Sequence, residues 1–74
     1  MARLPGELDG LRVLRALSRF GWVVESQRGS HRKVVHSARA DFLTVAFHAT
    51  IGRDSVRRIL RQAGISEEQF LAEF

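Results

Sequence analysis

Trp22-Val23-Val24-Glu25-Ser26-Gln27-Arg28-Gly29-Ser30-His31-Arg32-Lys33-Val34-Val35-His36 is the stretch on which the fold turns. Aromatic and β-branched residues lie on both sides of a Gly-Ser step, with no proline between them. That pattern predicts two strands, Trp22 to Arg28 and His31 to His36, joined by a tight turn. The polar run Ser37-Ala38-Arg39-Ala40-Asp41 closes a second hairpin, and Phe42 to Phe47 makes a third strand. Leu43, Val45 and Phe47 are its uniformly large apolar set and the expected core face, with Phe42, Thr44 and Ala46 on the other.

Working outward, the period changes on both sides. Leu8, Leu11, Leu14 and Leu17 recur every third residue and Phe20 continues the row, while Arg12, Arg15 and Arg19 lie elsewhere. An amphipathic helix from Leu8 to Phe20 is expected, with Gly10 weakening its first turn and Gly21 as a left-handed cap. Beyond the third strand, a loop is expected from Ala49 to Arg53, after which Asp54 or Ser55 caps a second helix. Val56, Ile59, Leu60 and Ala63 form its apolar stripe, Arg53, Arg57, Arg58 and Arg61 lie mostly off it, and Gly64 ends it. Ser66-Glu67-Glu68-Gln69 has capping-box form and opens a short last helix carrying Phe70, Leu71 and Phe74. The order helix, three strands, helix, helix predicts an α+β domain spanning 1–74. Its antiparallel meander is covered on one face by the two main helices.

The chain has 74 residues, with 12 Lys and Arg against 8 Asp and Glu, for a net charge of +4. Lys33 is the sole lysine; the other cations are arginines, whose planar forks suit phosphate and carboxylate. An anionic partner is one reading of this charge, and a solvated arginine-rich surface is the other. There is no cysteine, so neither a disulfide nor a thiolate is available. No apolar run is long enough to span a bilayer, and Met1-Ala2-Arg3-Leu4-Pro5-Gly6 lacks a secretory core. A cytoplasmic protein that does not meet the membrane is expected. No P-loop, dinucleotide fingerprint or nucleophile elbow occurs, and no cofactor is expected.

Three histidines are the side chains that titrate near neutral pH. His31 and His36 are five apart on one expected strand, so they point to opposite faces, and His48 follows the third strand. Their spacing, without cysteine, gives no structural metal site. His31 follows the Gly29-Ser30 turn, where backbone can approach a ligand, and is next to Arg32 and Lys33. On spacing alone it also reads as a solvent-facing hairpin histidine. Phe42 is a candidate base-stacking ring or simply a packed aromatic.

Taken together, the leucine-rich helix, Phe20-Gly21-Trp22-Val23-Val24 and Gln27-Arg28-Gly29-Ser30-His31 resemble the front half of HicA toxins. Leu43-Thr44-Val45-Ala46-Phe47-His48 is similar to their third strand, and Val56-Arg57-Arg58-Ile59-Leu60-Arg61-Gln62-Ala63-Gly64-Ile65-Ser66 to their second helix and its exit. The likeness runs from about Leu8 to Phe70. It departs at Val34, where the family usually has an aromatic residue, at Ala46, where it often has proline, and at Asp54-Ser55, where Gly-Thr is usual. In this sequence the nearby glycine is Gly52.

The resemblance implies a double-stranded-RNA-binding-domain-like fold and a toxin that cuts mRNA without a metal through the histidine that is His31 here. It also implies a HicB-type antitoxin that covers the site, with DNA met only indirectly through that partner. On this reading His31 moves protons during attack by the RNA 2′-hydroxyl. Gly29, Ser30, Arg32, Lys33, His48, Arg57 and Arg58 are the expected RNA contacts, with His48 orienting substrate or serving structure. The alternative is a non-catalytic basic RNA-binding module of the same fold; a protein-interaction subunit whose arginines meet an acidic partner is a third reading.

Overall fold

A computed structural model describes residues 3–74; Met1 and Ala2, which begin the segment read as lacking a secretory core, lie outside the described residues. The elements are β1 (Glu7–Asp9), α1 (Gly10–Ser18), β2 (Trp22–Arg28), β3 (His31–His36), β4 (Phe42–Ala46), β5 (Thr50–Gly52), α2 (Arg53–Ala63) and α3 (Glu67–Glu73). Strands β2, β3 and β4 form an antiparallel meander with β3 in the centre, and β1 pairs with β5 in a separate two-stranded ribbon. Opposed residues of an antiparallel pair share a face. Val34 opposes Val24 and Leu43, Trp22 opposes His36, and Val45 opposes Arg32. Trp22, Val34, Leu43 and Val45 are buried in one cluster with Val13 and Leu17 of α1, Val56 and Leu60 of α2 and Phe70 of α3. The other face carries Val23, Lys33, Phe42 and His31 and has no helix over it. This is the expected α+β architecture, of the double-stranded-RNA-binding-domain type.

Several local expectations are corrected, among them the end of the first helix, which stops at Ser18 with Arg19 as its C-cap, short of Phe20 and Gly21. The first helix begins at Gly10, not Leu8: Leu8 lies on β1, paired with Ile51. Asp9 is the N-cap, accepting the Arg12 N–H at 3.1 Å. Gly10 donates its N–H to the Ala49 carbonyl at 3.0 Å. A side chain there would run into the Ala46 carbonyl and come within 2.8 Å of the Ala49 oxygen, so a glycine is required by space. The segment expected to be a loop from Ala49 to Arg53 contains β5, because a three-residue strand can form when a partner far away in sequence offers its edge. Helix α2 therefore starts at Arg53, with Gly52 as an N-cap that makes no side-chain bond. Asp54 and Ser55 stand inside the first turn, where the Asp54 charge still complements the helix dipole. β4 ends at Ala46, one residue short of Phe47, whose N–H donates instead to the Ser30 carbonyl at 3.2 Å.

The capping box at Ser66 and Gln69 is formed as expected. Arg39 in the β3–β4 turn fixes where α2 lies. Its Nε and Nη2 bind both Asp41 oxygens at 3.0 and 2.9 Å, while Nη2 and Nη1 donate to the Gln62 and Ala63 carbonyls at 2.7 and 3.1 Å. A cation on the last carbonyls of a helix satisfies both hydrogen bonds and dipole. Gln62 then donates to the Phe42 carbonyl at 3.0 Å, tying α2 to the outer edge of β4.

Candidate active site

His31 is the first residue of β3, immediately after the Gly29–Ser30 turn. It stands an odd number of residues from buried Val34, so its ring projects from the helix-free face. Arg28 and Ala46 are its neighbours across the two ladders. The side chain is exposed, and its Nδ1 lies 3.4 Å from the Ser30 hydroxyl, long for a hydrogen bond of this kind. Among the described residues Nε2 has no protein partner.

Two open depressions meet at this ring. One, of about 670 Å³, runs toward α2 and is lined by Thr44, Ala46, Ser55, Arg58 and Gln62 as well as His31. The other, of about 620 Å³, lies along the sheet face between Ser26, Arg28, Lys33, Phe42 and Thr44. Lys33 is two residues from His31 and so shares its face. Its Nζ is 3.2 Å from Glu25 and 4.5 Å from the centre of the half-exposed Phe42 ring. Arg58 is exposed and makes no ion pair among the described residues. The imidazole thus shares its sheet face and one depression with Lys33, and the other depression with Arg58 of α2.

The remaining expected contacts are placed elsewhere. Arg32 points to the helix-bearing side, its guanidinium 4.1 Å from the Phe47 ring centre and its buried Nε without a hydrogen-bond partner. Arg57 is held by Glu67 at 3.1 Å and lies 3.7 Å from Asp54. His48 is exposed beyond β4, tilted against Phe47 with ring centres 5.3 Å apart, and lines neither depression. His36 is fully engaged: its Nδ1 accepts the Ala38 N–H at 3.0 Å, so Nε2 carries the proton and donates to the Phe20 carbonyl at 2.9 Å.

Glu25, Thr44, Ser55 and Gln62 border the site and were not singled out from sequence. Thr44 had a detectable signal, being on the outward set of β4; Ser55 and Gln62 depended on where Arg39 docks α2. Among the described residues, no three His, Asp or Glu side chains converge as metal ligands. No helix there is long and apolar enough to cross a membrane.

Fold and site together define a small basic α+β domain of the double-stranded-RNA-binding type that presents an exposed imidazole between cations. The family model described as HicA toxin of bacterial toxin-antitoxin matches residues 11–65. The chain belongs to the HicA toxin family and is a toxin of a toxin–antitoxin system, a class that implies an antitoxin partner. A comparison with curated proteins finds no match. The matched span stops before α3, although Phe70 of that helix is completely buried in the core.

Proposed function

We propose that this toxin is a metal-independent endoribonuclease that cuts mRNA with His31 as its acid–base residue and is silenced by a HicB-type antitoxin. The observation that carries the reading is the exposed His31 ring with a free Nε2, where the depressions lined by Lys33 and by Arg58 meet. RNA brings its own nucleophile. The 2′-oxygen bonds to the adjacent phosphorus as it loses its proton, and the bond from phosphorus to the 5′-oxygen breaks as that oxygen gains one. An imidazole can serve either proton transfer, each typically worth ~10²–10⁴-fold. Lys33 and Arg58 offset the charge that grows on the phosphoryl oxygens.

Family membership supports the reading, since HicA toxins are generally mRNA interferases. Gly29 and Ser30 let the substrate backbone come close beside the ring. Arg32, outside the two depressions, adds to the basic field rather than to the reacting centre; Arg57, paired with Glu67, and His48 lie outside them as well. The cytosol, where mRNA and antitoxin are met, is the proposed location.

The test is cleavage of a single-stranded RNA by purified toxin in the presence of EDTA. The expected result is cut RNA and intact DNA of the same sequence, because DNA lacks the 2′-hydroxyl. RNA that shifts in mobility yet stays whole would instead favour the non-catalytic binding module.

A further inference from the structure

Strand β2 carries an irregularity that the proposed chemistry does not use. Val24 opposes Val34 and Ser26 opposes Lys33, so the register shifts between them and Glu25 has no partner residue on β3. A bulge of this kind re-aims a side chain, and bulges are common beside functional sites. The re-aimed side chain is an acid, and it meets the single lysine of the chain: the Glu25 Oε1 to Lys33 Nζ distance is 3.2 Å. Both partners are about half exposed, at 52% and 42% of their side chains. The pair is thus open to exchange with another anion.

Lys33 is two residues along β3 from His31, about 6.6 Å at the usual strand rise. A phosphate bound at Lys33 would therefore be next to one placed at His31 along an extended strand. The position in front of the Lys33 ammonium is held by an oxygen of the protein itself. Asp41, the other acid bordering this face, is committed to Arg39 through both its oxygens.

We propose that the site in front of Lys33 is a backbone-phosphate subsite adjoining the reacting centre, and that the Glu25 carboxylate occupies it as an intramolecular stand-in until RNA displaces it. The inference rests on the ribonuclease reading for its ligand class. Glu25 lowers affinity for RNA, since a phosphate must replace the carboxylate and then share the surface with it. An exposed ion pair of this type is worth little, so the effect is a two- to fivefold one, roughly.

The test is binding of a 2′-O-methyl RNA oligomer, which cannot be cut, by wild type and Glu25→Gln over a range of salt concentrations. Glu25→Gln is expected to bind about two- to fivefold tighter at low salt. Its affinity should fall more steeply with salt, the slope growing by up to about 0.7 for one added phosphate contact on a single strand. Glu73→Gln makes the same change in net charge on α3 and is the control for a long-range field. Lys33→Ala placed on Glu25→Gln should abolish the gain.

Binding by Glu25→Gln no tighter than by Glu73→Gln overturns the subsite, and so does a gain that survives Lys33→Ala. Self-association of Glu25→Gln without tighter binding would also overturn it, showing that the Glu25 charge merely protects the free edge of β2 from strand addition. A protein that binds tighter as Glu25→Gln but leaves ordinary RNA uncut keeps the subsite and loses the ribonuclease reading.

Discussion

The two ends of β3 carry the same side chain under opposite conditions. At His36 both ring nitrogens are committed, one to the Ala38 N–H and one to the Phe20 carbonyl, and the Trp22 ring stands edge-on at 5.3 Å. At His31 one nitrogen has a long contact to Ser30 and the other has none among the described residues. The parity of the strand separates them: five residues apart, they leave opposite faces of the sheet. The helix-bearing face supplies His36 with fixed partners, whereas the bare face leaves His31 open to solvent and substrate. An imidazole that both accepts and donates inside the fold is a bracing element. One with an open nitrogen is able to move a proton.

The sharpest way to break this contrast is to remove each ring in turn. His31→Ala should lower RNA cleavage by about 10²-fold or more while leaving the melting temperature unchanged, because the side chain is exposed and holds no other element. Equal cleavage by His31→Ala and wild type ends the assignment of chemistry to this end of β3.

The opposite end should answer in stability. Gly21 has φ +91°, and a Cβ there would lie 2.6 Å from the His36 Nε2, which the Phe20 carbonyl holds in place. Gly21→Ala combines a strained backbone with displacement of that ring and should cost about 3 kcal/mol, read from urea denaturation. His36→Ala removes the two hydrogen bonds without the backbone strain, so a loss of about 1–2 kcal/mol is expected. Cleavage by either variant should follow the folded fraction alone. A folded His36→Ala protein with strongly impaired cleavage would show that the two rings act together.

How far this contrast was readable beforehand depends on which interactions are local. The strands, the Gly29–Ser30 turn and the capping box at Ser66 follow from neighbouring residues, so their signals lie within a few positions. The opposite facing of His31 and His36 follows from strand parity. The leucine row misled at its start. A step of three residues falls about 60° short of a full turn, so the row drifts around the helix. Leu11 ends up 47% exposed, while Val13 and Ala16, outside the row, are fully buried. β1 and β5 were invisible because each is three residues long and is made by a partner more than 40 positions away.

The site was legible in part for the same reason. His31 and Lys33 share a face by parity alone, so their association could be read directly. Arg58 reaches the groove through the docking of α2, which Arg39 fastens by contacts spanning 23 and 24 positions to Gln62 and Ala63. Arg58 shares one face of α2 with Ser55, Ile59 and Gln62 and so lines the groove, whereas Arg57 lies off that face and pairs with Glu67. Glu25 required the bulge, and a one-residue shift in register has no composition of its own.

Ser30→Ala gives the smallest expected effect and sharpens the contrast most finely. Among the described residues, the Ser30 hydroxyl is the one side-chain hydrogen-bonding group near Nδ1 of His31, at 3.4 Å rather than the 2.7–3.2 Å of a firm bond. A contact that long orients the ring weakly, so its loss should lower kcat only two- to threefold, roughly the effect of half a kcal/mol. KM should change little, since alanine keeps the small side chain and the backbone by which Ser30 admits the substrate, and stability should hold because the Ser30 carbonyl still receives the Phe47 N–H. Single-turnover cleavage with saturating protein separates this from a binding defect. A loss as deep as that of His31→Ala would mean that the ring at this end is as dependent on a fixed partner as His36. The difference between the two ends would then be one of exposure only, not of constraint.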